Sequence, residues 1–261
     1  MTDRTPLRGV EKKAAYYLRI IQSVQPEGPY HLGGYSYGGT LAYEITRQLQ
    51  TLGESVDSIV MLDSSLDSES ASESKPSVFK KKQAMLQAVN LALFETNIAR
   101  SEKMADVLIH RKELNVDMAD DLFLKKLLEH PKTGELNRTE EQAADQIRSI
   151  ADEIKFSGTE KYVPQPLPRP DAVTCYYFRN GSGVFWGDLE PYFLIENGGH
   201  REQLNYWKVW GEHITHFHLI DVDSANHMEM LSAPRSFEKI LKVCRELYSK
   251  NEITEEFLKS L

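Results

Sequence analysis

Along residues 11–24 the apolar side chains Ala14, Tyr17, Leu18 and Ile21 recur at helical spacing, and Pro26 and Gly28 stop them, so one amphipathic helix is predicted there. The pattern then changes to a short apolar run, residues 30–35, that leads through Ser36 into Thr40–Leu52. In that stretch Leu41, Ile45, Leu49 and Leu52 return to helical spacing before Gly53. Residues 56–62 form a second short apolar run that ends at Asp63, as a parallel strand buried on both faces does. Helix, strand, turn, helix, strand is an α/β order.

Residues 64–77 are rich in Ser with acidic residues interspersed and Pro76 near the end, which reads as a flexible connector. From there to residue 162 the strand signal disappears and helical stretches take over. Pro164, Pro166, Pro168 and Pro170 close this block ahead of a strand-like run at 172–178. A Gly-rich loop is expected over 179–199, a helix over 201–210, a last strand over 214–220 and a closing helix over 232–250. The chain therefore divides into a core, residues 1–76 and 163–261, and a helical insertion, residues 77–162. No internal repeat is visible.

Composition narrows the function classes. Of the 261 residues, 31 are Lys or Arg and 39 Asp or Glu, a net charge of −8 that gives no general grip on phosphate backbones or anionic membranes. The two cysteines, Cys175 and Cys244, lie far apart in apolar stretches and read as buried thiols rather than a disulfide framework. With no basic-then-apolar leader and no apolar run of about 20 residues, the expectation is a cytoplasmic protein outside membranes.

Gly34-Tyr35-Ser36-Tyr37-Gly38 is a G-x-S-x-G pentapeptide set between a strand and an amphipathic helix, the context that gives the pattern meaning. A serine at such a turn is held in a strained conformation, so Gly34 and Gly38 are expected to let strand and helix approach. The helix start aims free N–H groups outward, and the Tyr37 N–H is a candidate oxyanion donor. A serine hydroxyl is a weak nucleophile and needs a histidine base oriented by a carboxylate. Asp63, at the end of the neighbouring strand, is the favoured acid, with Asp188 its main competitor and Asp221 and Asp223 behind. His227 follows the last strand and gives the order Ser, Asp, His expected of α/β-hydrolases. Among the other histidines, His216 and His218 share a strand face near His213, yet no Cys or carboxylate completes a ligand set, and no metal is expected. His31 reads as packed and His200 as a loop residue.

The stretch Val24-Gln25-Pro26-Glu27-Gly28-Pro29-Tyr30 running into Gly34-Tyr35-Ser36-Tyr37-Gly38 resembles the thioesterase domains that end fatty acid synthases, polyketide synthases and nonribosomal peptide synthetases. Ala14-Ala15-Tyr16-Tyr17, Leu41-Ala42-Tyr43-Glu44, Val60-Met61-Leu62-Asp63 and Asn226-His227 share the likeness. The resemblance implies an α/β-hydrolase core with a mostly parallel sheet and a helical lid, Ser36 as nucleophile, His227 as base and Asp63 as orienting acid. It implies no cofactor of the protein's own, but a phosphopantetheine arm on an acyl or peptidyl carrier protein that delivers an acyl thioester. Release then goes to water or to a group within the chain. Lys80–Lys82 and Lys125-Lys126 are candidate docking patches for such an acidic carrier.

Compared with that family, the strands expected ahead of the nucleophile strand are missing, and with them the loop for a second oxyanion donor. The expectation is thus a piece of a larger synthase. The alternatives weighed are a free-standing editing thioesterase and a non-catalytic hydrolase fragment acting as a binding module.

Overall fold

The computed structural model describes residues 7–66, 79–97, 104–136, 140–157, 162–182, 185–195, 207–250 and 254–259. Most of the predicted Ser-rich connector and His200 lie outside them. Helix α1 spans Val10–Val24 and is followed by strand β1 at Tyr30–Tyr35. Helix α2 covers Tyr37–Thr51, three residues earlier than the apolar spacing indicates because Gly38 and Gly39 carry no pattern, and strand β2 covers Val56–Leu62. The helical block contributes α3 (Lys80–Asn97), α4 (Met104–Val107), α5 (Asp120–Leu128) and α6 (Glu140–Ser157). Strand β3 (Thr174–Asn180), the short helices α7 (Glu190–Phe193) and α8 (Lys208–His213), strand β4 (His216–Val222), α9 (Pro234–Lys250) and α10 (Glu255–Lys259) complete the order.

The four strands pair in sequence order, every pair parallel, and among the described residues no strand precedes β1. Alternation along β2 and β3 sends Ile59, Met61, Cys175 and Tyr177 to one face and Val60, Tyr176 and Phe178 to the other. The first face packs with Ala14 and Leu18 of α1, Tyr43 and Leu49 of α2 and Trp210 of α8. The second packs with Ile240, Val243 and Leu247 of α9. Each large side chain fully buried in this way contributes roughly 1.5–3 kcal/mol, and a sheet covered on both faces explains the unbroken apolar runs of its strands.

By its internal packing the chain forms two units. One comprises residues 1–70, 161–185 and 202–261, the other residues 71–160 and 186–201. Within the second unit α3 buries Ala84, Met85, Leu86, Ala88 and Val89, five of six successive positions, which point all round the helix, and so lies at the centre of its neighbours. Asn90 of α3 pairs with the backbone of Ile109 through both its amide ends, at 2.9 and 2.8 Å, and also donates to the Tyr192 carbonyl. Arg111 donates to the Leu194 carbonyl at 3.2 Å. Those bonds attach residues 190–194 to the helical unit, a segment the sequence pattern leaves in the core. Lys81 and Lys82 pair with Asp120 at 3.3 and 3.2 Å, and Lys125 and Lys126 with Glu129 at 3.6 and 2.7 Å, so both lysine clusters carry their own counter-charges.

The Pro-rich segment 164–170 has few N–H groups to offer a sheet, and α2 ties it down instead. Gln50 exchanges two hydrogen bonds with the Arg169 backbone, at 3.0 and 2.9 Å, and the Tyr43 hydroxyl donates to the Gln165 carbonyl at 2.8 Å. The buried Glu44 carboxylate accepts from Arg47 at 2.9 and 2.7 Å, from Gln48 at 2.8 Å and from the Tyr162 hydroxyl at 2.9 Å. Burial alone would raise the Glu44 pKa, but these hydrogen bonds outweigh it and hold the carboxyl below its ordinary value.

Removing that carboxylate leaves buried donors unpaired, so Glu44→Ala is predicted to lower the unfolding free energy by roughly 2–3 kcal/mol, read from denaturant midpoints. Because the folded pKa lies below the unfolded one, the carboxylate's contribution is present above the unfolded value and lost as pH falls through the folded value. The stability gap between wild type and Glu44→Gln should therefore narrow on acidification.

Candidate active site

Ser36 and Asp63 occupy equivalent places on neighbouring strands. In the parallel register Tyr35 lies beside Leu62, and Leu62 beside Phe178. One step further along, the Ser36 N–H donates to the Leu62 carbonyl at 2.8 Å and the Asp63 N–H to the Phe178 carbonyl at 2.9 Å. Each residue then leaves the ladder with a left-handed backbone, φ 55° at Ser36 and φ 49° at Asp63, the two non-glycine residues with positive φ among those described. Such a conformation costs a β-carbon residue about 1–3 kcal/mol and persists where the surroundings dictate it. Here the last ladder bond dictates it from one side and the turn into the next element from the other.

Glycines make the tight turn at Ser36 possible, though not the pair singled out from the sequence. A Cβ on Gly34 would overlap the backbone of Gly38, so strand and helix approach closely there. At Gly38 a Cβ would meet nothing within 4 Å. The second constrained position is Gly39, where a Cβ would overlap Ser64 Oγ and lie 2.6 Å from Ser64 Cβ. The expectation for Gly38 is thus corrected to Gly39, because the neighbour that crowds α2 is the loop after β2. Ser36 stands at the N-cap position of α2, yet its side chain makes no capping hydrogen bond. Tyr37 is the first residue of the helix.

Asp63 is fully buried and held by its surroundings. The Asn180 N–H donates to its Oδ1 at 3.3 Å, and His227 Nδ1 lies 2.8 Å from its Oδ2. A carboxylate only accepts, so Nδ1 is the donor, and in the neutral imidazole the lone pair then lies on Nε2. The loop is locked one residue on, where the Ser64 carbonyl accepts from the Tyr177 hydroxyl at 2.8 Å and from Trp210 Nε1 at 2.9 Å.

His227 itself is buried on the loop between β4 and α9. Two residues to which the sequence reading gave no role also hold it. Tyr35 stacks on its ring, with centroids 4.6 Å apart and planes at 14°, and donates from its hydroxyl to the His227 carbonyl at 2.8 Å. Phe185 stacks at 4.0 Å and 18°, and its carbonyl accepts the His227 N–H at 2.7 Å. Tyr35 was visible as the residue before the serine, whereas nothing local marks Phe185, 42 positions from His227.

The competing candidates go elsewhere. Asp221 forms a two-pronged ion pair with Arg179, at 2.6 and 2.9 Å, and Asp223 lies 3.4 Å from Arg235. Asp188 belongs to the 3₁₀ turn Gly187–Leu189 of the second unit. His31 Nδ1 lies 2.8 Å from Ser58 Oγ, and His218 stacks on Tyr176 at 5.3 Å. No group of three or more His, Cys, Asp or Glu suited to a metal ion occurs among the described residues. No described helix is long and apolar enough to cross a membrane.

A parallel sheet between helical layers, with its polar residues gathered where the strands end, is the core of an α/β-hydrolase. Comparison with known proteins narrows the class. A family model for the thioesterase domain matches residues 1–248, and the chain belongs to that family. It is 44% identical over 262 residues to the polyketide synthase PksR of Bacillus subtilis (strain 168), covering 100% of this chain and 10% of that one. The chain thus spans about a tenth of that relative's length. Among solved structures, a four-domain nonribosomal peptide synthetase bound to AMP and glycine matches 94% of this chain and 16% of its own, with a TM-score of 0.61 at 18% identity. The Vlm2 thioesterase domain bound with a dodecadepsipeptide matches 94% and 79%, with a TM-score of 0.52 at 15% identity. At these identities the structural likeness is one of fold.

The glycine assignment is open to a stability test. Gly39→Ala is predicted to cost roughly 1–3 kcal/mol through overpacking, part of which returns in Gly39→Ala with Ser64→Gly. Gly38→Ala should be neutral or stabilising by up to about 1 kcal/mol, as glycine in a helix is worse than alanine. Thermal melts of the variants measure both.

Proposed function

We propose that this domain releases an acyl, polyketide or peptide chain from the phosphopantetheine arm of a carrier protein through an acyl-Ser36 intermediate. The observation that carries the reading is the buried Asp63–His227 hydrogen bond, which orients the imidazole as a base, on a residue that is also bonded through its carbonyl to Tyr35, the neighbour of Ser36 in the chain. The family and the likeness to a polyketide synthase support this substrate class.

In this reading Ser36 Oγ attacks the thioester carbonyl and passes its proton to His227 Nε2. Asp63 holds the imidazole in the required tautomer and stabilises its positive charge. The Tyr37 N–H donates to the oxyanion that forms. Collapse of the adduct breaks the C–S bond, the departing thiol takes the proton from Nε2, and the acyl group remains as an ester on Ser36. A second nucleophile then gives its proton to Nε2 and attacks that ester, and Ser36 recovers its proton on release. Water yields the free acid, while a hydroxyl or amine of the acyl chain yields a macrolactone or macrolactam.

The test pairs a serine-directed fluorophosphonate probe with turnover of an acyl-pantetheine thioester. Ser36→Ala should lose labelling and turnover together, and equal labelling of both proteins would remove Ser36 from its role. Asp63→Asn should lower the rate by roughly 10³–10⁴-fold without loss of fold, as a wrong histidine tautomer does elsewhere. Mass spectrometry of the product tells acid from ring.

A further inference from the structure

His227 is gripped on two faces and by both of its backbone groups. Two rings nearly parallel to the imidazole, at 4.6 and 4.0 Å between centroids, would overlap each other on one side, so Tyr35 and Phe185 lie on opposite faces. Each clamps ring and main chain together, Tyr35 through its hydroxyl on the His227 carbonyl and Phe185 through its carbonyl on the His227 N–H. Burial first, and then the nearby Asp63 charge, push the Tyr35 phenol well above its ordinary pKa, so it remains a donor across the working pH range.

The bond to Asp63 alone fixes only one ring atom. An imidazole hung from Nδ1 can still tilt about the Nδ1–Oδ2 line, and tilting swings Nε2, the atom that must meet a serine proton. Flat partners on both faces remove that freedom. One of them, Tyr35, is joined by a single peptide bond to Ser36, whose own backbone is pinned by its ladder bond to Leu62. We propose that Tyr35 and Phe185 are positioning residues that fix the plane of the His227 imidazole, and that Tyr35 keeps base and nucleophile in mutual register. This rests on the roles of Ser36 and His227 given above.

The experiment measures kcat and KM on an acyl-pantetheine thioester, the rate of Ser36 labelling by a fluorophosphonate, and the downfield proton resonance of the His227 Nδ1–H, in proteins whose melting is checked. Tyr35→Leu and Phe185→Leu should each lower kcat and labelling rate by about 10–100-fold, the scale of a misplaced catalytic group. KM should stay within about twofold, and the Nδ1–H resonance should broaden or vanish. Tyr35→Phe keeps the ring and should recover most of the rate and the resonance. Folded Leu variants with wild-type kcat and an unchanged resonance would overturn the proposal, as would an effect confined to KM. If Tyr35→Leu does not fold, Phe185→Leu and Tyr35→Phe decide by the same readouts. Labelling that persists in Ser36→Ala would instead refute the nucleophile assignment, so the two failures are distinguishable.

Discussion

The parallel ladder is the constraint on which the site depends. Pairing β1 with β2 and β2 with β3 in one direction brings their C-terminal ends to a common edge, and a last hydrogen bond beyond each strand holds the residue that leaves it. Both Ser36 and Asp63 are bent into left-handed backbone at that bond. The energy for two strained residues comes from the sheet behind them, whose strands are buried on both faces. A solvated two-stranded ribbon could not supply it.

The surroundings of Asp63 follow the same logic. A buried carboxylate is costly unless hydrogen-bonded, and here an N–H from the end of β3 and the imidazole of His227 meet that need. The next carbonyl, that of Ser64, takes two donors from the core, Tyr177 and Trp210, so the loop bearing the acid is anchored to residues packed under the sheet. Ser64 in turn is what crowds Gly39 of α2. The loop after β2 and the serine turn are shaped against each other, which is why the second sterically constrained glycine is Gly39.

Much of this was legible in the amino-acid pattern. Strands β1 and β2 fall on the apolar runs, since each is bounded by turn residues and by a change to helical spacing. Strands β3 and β4 begin and end two residues later than their apolar runs. At their starts Ala172 closes a 3₁₀ turn and the apolar Val173 and Ile214 precede the ladders; at their ends Arg179 and Asp221 look like loop residues until their pairing across the ladder is seen. The turn at Ser36 and the Asp63–His227 pair fall on residues that chain order and strand ends mark in the sequence. Phe185 was not, since its distance along the chain leaves no periodicity to detect. Nor could the sequence show that residues 190–194 hydrogen-bond to the helical unit, because those bonds run largely to backbone carbonyls.

The ion pair of Arg179 with Asp221 bears on the edge in another way. Extending the register, Ser36, Asp63, Arg179 and Asp221 stand in one row across the four strand ends. A guanidinium one place from Asp63 could compete with the imidazole for that carboxylate. Its fork is instead turned outward onto Asp221, a partly exposed pair that adds little to stability. Its effect is one of electrostatic partition: the cation of the row is spent on the far carboxylate, and the charge of Asp63 is left to act on His227.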